Sequence, residues 1–167
     1  VGADAARVRV TGNMKFDLEA PAVSSDNREA MTHFRADSKH LWLAASTHPG
    51  EEEQVLDAFR GILARVPSAK LALAPRHLER LAAVEKIIRS KGFKCAKISE
   101  FKAARNGKGP SESAEPANVL LIDEWGILNQ LYALVDAVFV GGSLISVGGH
   151  NLAEPAVAGS PVLHGPW

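Results

Sequence analysis

Residues 40–65 read HLWLAASTHPGEEEQVLDAFRGILAR, which gives a strand, a loop and a helix in that order. His40–Ala45 is a nearly continuous apolar run, typical of a parallel strand that is covered on both faces. In Glu51–Arg65, Val55 and Phe59 recur at the spacing of one helix face. Three glutamates begin this helix, where negative charge complements the helix dipole. The stretch therefore predicts one β-α unit.

The same order of elements recurs along the chain. Further strand candidates are Arg7–Val10, Lys70–Ala74, Lys94–Ile98, Asn118–Ile122, Ala137–Val140 and Pro161–Leu163. Helical patterns cover Arg28–Arg35 (with Ser24 or Ser25 as its cap), Leu78–Arg89, Ile127–Leu134 and Asn151–Ala158. This alternation predicts an α/β fold with a parallel sheet and helices on both faces. Lys102–Ala117 has no periodicity and predicts a mobile loop.

Composition narrows the class of protein. The 167 residues suit one domain, and 19 basic residues balance 19 acidic ones without a basic stripe, which argues against nucleic-acid binding. Because Cys95 is the single cysteine, an internal disulfide is excluded, and Cys95 is expected to be a small buried apolar residue. No apolar run approaches the ~20 residues that cross a bilayer, and the first ten residues do not resemble a signal peptide. The missing initiator Met and the end at Trp167 predict an excised domain, residues 1–167.

Unusual residues follow four of the predicted strands. Parallel strands deliver their carboxyl ends to one edge of the sheet, and ligands bind there. Glycine, hydroxyl, histidine or arginine follows each of these strands, in Ser46–Glu52, Pro75–His77, Asp123–Gly126 and Gly141–Asn151. The sequence therefore predicts a ligand site at this edge. By default, Asp123 and Glu124 would cap the next helix.

The loop after the predicted strand Ala137–Val140 is the most informative. Two glycine pairs, Gly141-Gly142 and Gly148-Gly149, precede a helix that starts near Asn151. Glycine lets the backbone approach a ligand, and the free N–H groups of a helix start bind anions, so a phosphate fits. Asn151 and Glu154 also have the spacing of a capping box. The glycine density favours a ligand over an ordinary cap.

The charged residues of the edge leave alternatives open. Arg76 opposes the dipole of the helix that it begins, and either an anionic ligand or a surface salt bridge explains it. His48 either donates to a substrate or bonds neighbouring backbone, and His150 is expected to support the glycine turn. The histidines have no metal-ligand spacing, so no metal site is predicted.

Five segments in one order resemble the Kdo transferases, the 3-deoxy-D-manno-octulosonic acid transferases of lipopolysaccharide synthesis. These segments are TGNMKFD (11–17), STHPGEE (46–52), APRH (74–77), FVGGSL (139–144) and GGHNLAEP (148–155). The resemblance implies two Rossmann-like domains in the GT-B arrangement, of which this chain is similar to the C-terminal, donor-binding half. It implies transfer of Kdo from CMP-Kdo to the lipid A precursor with inversion, at the cytoplasmic face of the bacterial inner membrane, with no cofactor. Acceptor, membrane contacts and the general base, a glutamate, would belong to the N-terminal domain, so the isolated chain is expected to be inactive.

The resemblance also implies roles for single residues of the donor site. Arg76 would contact the CMP phosphate, and Gly142, Ser143 and Asn151 would line the phosphate and sugar through backbone and side-chain donors. Glu154 would accept hydrogen bonds from the ribose. The loop with Trp125 and Gly126 would lie along the cytosine, and His48 would lie near the donor. The segment Glu124–Ile127 departs from the family pattern, and Trp125 is expected to stack beside the base instead.

Two other functions fit the same residues. One is the donor domain of a GT-B enzyme that uses a UDP-sugar, which a preference for uridine diphosphate over CMP would reveal. The other is a nucleotide-binding module without catalysis.

Overall fold

The structure is a computed structural model that describes residues 2, 4–9, 17–36, 38–103 and 117–167. The strands are β1 (Leu41–Thr47), β2 (Lys70–Pro75), β3 (Cys95–Lys97), β4 (Val119–Leu121), β5 (Ala137–Val140) and β6 (Val162–Leu163). The α-helices are α1 (Ser25–Arg35), α2 (Glu51–Leu63), α3 (Leu81–Ser90), α4 (Ile98–Ala103), α5 (Leu128–Leu131) and α6 (Ala153–Val157). Short 3-10 helices cover Ala5–Arg7, Leu78–Arg80 and Tyr132–Leu134.

The six strands form one sheet in the order β3-β4-β2-β1-β5-β6, and every strand pair is parallel. Strand β1 lies between β2 and β5, so the chain fills one side of β1 first and then crosses to the other. The point where the strand order reverses lies at β1 and β5, and in open parallel sheets ligands bind beyond the carboxyl ends of the strands at that point. The predicted α/β fold with a parallel sheet is confirmed.

Helices cover both faces of the sheet and bury two apolar layers. On one face, Met31 and Phe34 of α1 pack with Leu131 of α5 against the sheet. On the other face, Phe59 of α2 and Ile88 of α3 are fully buried against the alternate strand residues. Full burial of each such side chain contributes about 1.5–3 kcal/mol. Because both faces are covered, the strands read as continuous apolar runs in the sequence.

Most predicted elements are present, with displaced ends. The Ser24 side chain caps α1 by accepting a hydrogen bond from the Asn27 N–H, as predicted. The predicted helix at Asn151 begins two residues later, at Ala153. The predicted strand Arg7–Val10 is wrong at its start, because Arg7 ends a 3-10 helix, and Val10 lies outside the described residues.

The segment after β3 differs most from its prediction. The sequence predicts that Ile98 ends a strand and that Lys102 begins a mobile loop, but both lie in α4. The helix forms because Ile98 is buried against α1 and because Asp123 holds its first turn from across the sheet edge. Residues 104–116, the rest of the predicted loop, lie outside the described residues, as do 11–16 of the motif 11–17.

Candidate functional site

An open pocket of about 270 Å³ lies at the carboxyl edge of the sheet. It is formed where the segments after β2 and β4 meet the end of β1 and the start of α6. Four of the residues that the sequence predicts as donor ligands line it: Arg76, Trp125, Gly126 and Glu154. The other four predicted residues, His48, Gly142, Ser143 and Asn151, do not line this pocket. The structure therefore divides the predicted set between the pocket, the loop after β1 that holds His48, and the glycine loop, residues 141–151.

Arg76 follows β2 directly, and its side chain is exposed at the pocket. Its backbone N–H donates to the Thr47 carbonyl at 2.9 Å, which joins the ends of β1 and β2. Within the described part of the chain, no carboxylate lies within salt-bridge distance of its guanidinium, so the surface salt bridge is not the reason for its position. An exposed guanidinium with free donors is suited to a phosphate or carboxylate, which it binds through two parallel hydrogen bonds.

The segment 123–127 forms a second wall of the pocket. Asp123 accepts hydrogen bonds from the Ser99 N–H at 3.1 Å and the Ser99 hydroxyl at 2.6 Å, and Glu124 pairs with Lys102 at 2.5 Å. Both carboxylates thus bind α4, which precedes them, and the expectation that they cap the following helix is wrong. Trp125 projects from this anchored loop with 65% of its surface exposed, at the pocket rim. A planar apolar ring in this position offers a stacking surface for a nucleobase.

Glu154 is exposed at the pocket and is held by Asn151. The Asn151 side-chain N–H donates to Glu154 Oε1 at 3.0 Å, and Asn151 Oδ1 accepts from the Ala153 N–H at 3.0 Å. The predicted capping box is wrong, because the N-cap of α6 is Leu152, which forms no side-chain cap, and Glu154 bonds the side chain of Asn151 and not its backbone N–H. Among the described residues, no group donates to the other carboxylate oxygen of Glu154, so the carboxylate retains capacity to accept from ligand hydroxyls.

Three histidines lie beside the pocket. His48 Nε2 and His150 Nε2 are 2.7 Å apart, with nearly parallel rings, and the His77 ring meets the His48 ring edge-on at 5.9 Å between centroids. One imidazole of the bonded pair must donate and the other accept, so the pair carries at most one added proton while the bond persists. Burial lowers the pKa of His150, and the neighbouring His48 and Arg76 act in the same direction. The sequence predicts that His150 supports the glycine turn by a hydrogen bond, but its ring bonds His48 instead.

The glycine loop corrects a predicted role. The prediction is that the N–H groups of Gly142 and Ser143 bind the ligand phosphate, but both donate to the buried carboxylate of Glu51, at 2.7 and 3.0 Å. The Ser143 hydroxyl is also engaged, since it donates to the Val140 carbonyl and accepts from the Gly165 N–H. These backbone donors point inward because an internal anion satisfies them. The predicted phosphate contacts at Gly142 and Ser143 are therefore absent from this conformation.

Two further residues line the pocket that the sequence does not predict as ligands. Ser46 lines the pocket with φ of 55°, at an irregularity of the β1–β2 register between Ala45 and Thr47. Its carbonyl presses on Gly141 so closely that a Cβ there would lie 2.5 Å from the oxygen. Asn129 of α5 also lines the pocket. The sequence placed Ser46 in the segment after a predicted strand, but its backbone irregularity leaves no trace in apolar periodicity.

Metal binding and membrane crossing find no support in the described part of the chain. No group of three or more histidine, cysteine or acidic side chains is placed to hold a metal ion within the ranges that the structure describes. None of the described helices combines the length and the apolar character that crossing a membrane requires.

Comparison with known proteins places these features in context. No family model matches the chain. The chain is 34% identical over 159 residues to the 3-deoxy-D-manno-octulosonic acid transferase of Haemophilus influenzae, with 95% of the chain and 35% of that protein aligned. It is 38% identical over 125 residues to the transferase of the same name from Aquifex aeolicus, covering 75% of the chain and 31% of that protein. The chain thus spans about a third of the length of these relatives.

A solved structure matches over most of the chain. It is the C-terminal CMP-Kdo binding domain of WaaA from Acinetobacter baumannii, at a TM-score of 0.65 and 29% sequence identity. The match covers 83% of this chain and 69% of that one. The two sequence relatives are 3-deoxy-D-manno-octulosonic acid transferases, and the similar structure is a C-terminal domain that binds CMP-Kdo.

Proposed function

Since this chain is a homologue of the 3-deoxy-D-manno-octulosonic acid transferases, we propose that it is the domain that binds the CMP-Kdo donor in such an enzyme. In this proposal residues 1–167 form one donor domain, the C-terminal half of a GT-B glycosyltransferase. The observation that carries the proposal is the pocket at the carboxyl edge, where an arginine with no ion pair among the described residues, an exposed tryptophan and a carboxylate line one cavity.

Each part of a cytidine nucleotide has a suitable group in that pocket. The guanidinium of Arg76 binds the phosphate, because a planar cation with paired donors matches phosphate oxygens. Glu154 accepts hydrogen bonds from the ribose hydroxyls, and Trp125 stacks on the base while the backbone at Gly126 lies along its edge. His48, through its bond to His150, forms the side of the site next to Arg76. Because the amides of Gly142 and Ser143 donate to Glu51, these two glycine-loop residues support the site without contacting the nucleotide.

The reaction proposed for the full-length enzyme is transfer of Kdo to the lipid A precursor with inversion at the anomeric carbon and release of CMP. As the bond to the phosphate breaks, negative charge grows on the leaving group and positive character on the sugar. Arg76 stabilises the growing negative charge, and one preorganised donor of this kind contributes about 3–4 kcal/mol to a transition state. A general base must activate the acceptor hydroxyl. We assign that base, the acceptor site and any association with the inner membrane to the remainder of the protein, so this chain alone does not turn over.

Nucleotide titration of the full-length enzyme tests the proposal. CMP is expected to bind and to compete with CMP-Kdo, whereas UMP and UDP bind more weakly. Arg76→Ala should weaken CMP binding about ten- to hundredfold, since a hydrogen bond to a charged group is worth about 1.5–3 kcal/mol. Arg65→Ala is the matched control, because Arg65 follows α2 at the opposite edge of the sheet and is exposed. A preference for UDP would favour a UDP-sugar enzyme, and nucleotide binding without transfer would favour a non-catalytic module.

A further inference from the structure

The Glu51 carboxylate is fully buried and is surrounded by backbone donors. Its Oε2 accepts from the N–H groups of His48 at 2.9 Å and Gly142 at 2.7 Å. Its Oε1 accepts from those of Ser143 at 3.0 Å and Leu144 at 2.9 Å. One carboxylate therefore joins the loop after β1 to the loop after β5, and neither oxygen faces solvent.

These bonds outweigh the cost of burying the charge. Burial alone would raise the pKa of Glu51, but the four N–H groups together lower it below its ordinary value. Glu51 is also the first residue of α2, where the helix dipole favours an anion. The side chain is therefore an ionised group that fills a cradle of amides, the type of cradle in which other proteins bind a phosphate.

The turn that Glu51 holds supports the histidine pair. Gly142 has φ of +71°, and its α-carbon lies so near His150 that a Cβ would be 3.1 Å from the imidazole Nε2. The Gly142 carbonyl accepts from the Gly149 N–H at 2.7 Å, which folds the loop back before His150. His150 in turn bonds to His48, and Arg76 is close enough to act on the pKa of His150. The position of this pair beside Arg76 thus depends on the turn at 142–144.

We propose that Glu51 is a positioning residue for the donor site. Its ionised carboxylate replaces a ligand anion inside the glycine loop, and it holds that loop in the conformation that places His150 on His48 beside Arg76. The inference rests on the proposed function, because it concerns the affinity of the same pocket for a nucleotide phosphate. Glu51 itself contacts no ligand.

Substitution by glutamine is a sharp test, because each oxygen of Glu51 accepts two N–H groups. In Glu51→Gln, either orientation of the amide points its own N–H groups at two backbone donors. CMP affinity of the full-length enzyme should fall about tenfold or more, and the donor KM should rise while the KM for the acceptor stays unchanged. Glu53→Gln is the matched control: it removes the same charge from the same helix turn, and Glu53 Oε2 has no hydrogen-bond partner within the described residues.

Chemical rescue separates positioning from a general loss of structure. Glu51→Ala leaves the four amides around a cavity of carboxylate size, so added formate should restore CMP affinity and raise the thermal midpoint of this variant. Formate should have neither effect on the wild type or on Glu53→Gln. If Glu51→Ala does not fold even with formate, Glu51→Gln tests the positioning role by itself. Its thermal midpoint is then measured together with its CMP affinity.

The outcomes distinguish this inference from the proposed function. If the wild type binds CMP but Glu51→Gln binds it equally well, or if formate fails to rescue a folded Glu51→Ala, the positioning role is refuted and the donor pocket stands. Loss of fold in both variants would also refute it, since Glu51 would then serve stability alone. If the wild type does not bind CMP, the proposed function fails first.

Discussion

Two arginines at the carboxyl edge have opposite environments, and the difference indicates what each is for. Arg80 donates to both oxygens of Glu52, at 2.7 and 3.2 Å, and Glu52 is fully buried. Arg76 is exposed at the pocket and forms no ion pair within the described ranges. A paired guanidinium is part of the fold, whereas an unpaired one beside a cavity retains its donors for a ligand.

A ribose role for Glu154 makes a specific prediction about nucleotide analogues. Wild-type enzyme should bind CMP more tightly than 2′,3′-dideoxy-CMP, because only CMP offers hydroxyl donors to the carboxylate. In Glu154→Ala the two affinities should become equal, which isothermal titration measures. If the variant still favours CMP by the wild-type ratio, Glu154 serves only as the partner of Asn151. The analogue is the internal control for any effect of losing the hydrogen bond between Asn151 and Glu154.

Gly142 is predicted to be intolerant of a side chain. Gly142→Ala combines a left-handed φ with a contact of 3.1 Å to His150, and such a site costs about 1–3 kcal/mol of unfolding free energy. Gly61→Ala is the control, because Gly61 lies within α2 and a Cβ there would meet no atom within 4 Å, so this change should stabilise by about 0.5–1 kcal/mol. Urea unfolding of both variants measures the difference. Equal effects would show that the turn is not constrained.

At the scale of elements, the start of α2 organises the carboxyl edge. Its first two residues, Glu51 and Glu52, are both fully buried, which is unusual for acidic side chains. Glu51 binds the loops after β1 and β5, while Glu52 accepts from the Thr47 hydroxyl and pairs with Arg80 just before α3. One helix start thereby fixes three neighbouring segments around the pocket.

The buried Glu52–Arg80 pair should contribute far more to the free energy of unfolding than a surface pair does. Removal of one partner from a buried ion pair costs about 3–5 kcal/mol, because the other charge is left without compensation, so Glu52→Ala should destabilise by that order. Asp57, whose side chain is 55% exposed, pairs with Lys91. Asp57→Ala should therefore cost less than about 1 kcal/mol of unfolding free energy. Denaturant unfolding compares the two. A small effect of Glu52→Ala on the free energy of unfolding would contradict this prediction, and would mean that water solvates the Arg80 guanidinium in the variant.

At the scale of the whole molecule, acidic groups tie the sheet together at both edges. At the amino edge, Asp136 accepts from the Leu41 N–H at 2.6 Å and pairs with Arg35, which joins β1 and α1 to the start of β5. Burial acts to raise the pKa of Asp136, but these bonds lower it overall. Hydrogen bonds from Arg89 and Lys97 likewise lower the pKa of Glu85.

Acid should therefore destabilise the fold. A carboxyl whose pKa is lower in the folded state contributes stability that is present above its unfolded pKa and is lost as pH falls through the folded value. The ordinary pKa values are 4.5 for Glu51 and Glu85 and 3.8 for Asp136. The free energy of unfolding should decline as pH falls below about 4.5, as urea titrations at decreasing pH measure. Glu51→Gln should show a shallower decline, and a rise of stability toward about pH 3 would contradict the assignment.

The sequence predicted much of this molecule because the relevant signals are local. Apolar periodicity identified the six strands of the sheet and the helices between them except α4, and the strand ends identified the edge that carries the pocket. The carboxyl ends of parallel strands predicted only the edge of the sheet, and the resemblance to the Kdo transferases assigned Arg76, Trp125, Gly126 and Glu154 to one site there. The strand at Arg7–Val10 and the loop at Lys102 were misassigned because short apolar or polar runs carry weak periodicity.

What the sequence alone determined is the α/β fold, the edge of the sheet that carries the pocket, and the residue types available there. Only the tertiary structure decided which partner each polar group has. The glycine-loop amides belong to Glu51, Asp123 and Glu124 bind α4, and His150 bonds to His48, although these partners are far apart in the chain. Hydrogen bonding over such separations depends on where strands and helices lie in space, and apolar periodicity along the chain carries no record of it.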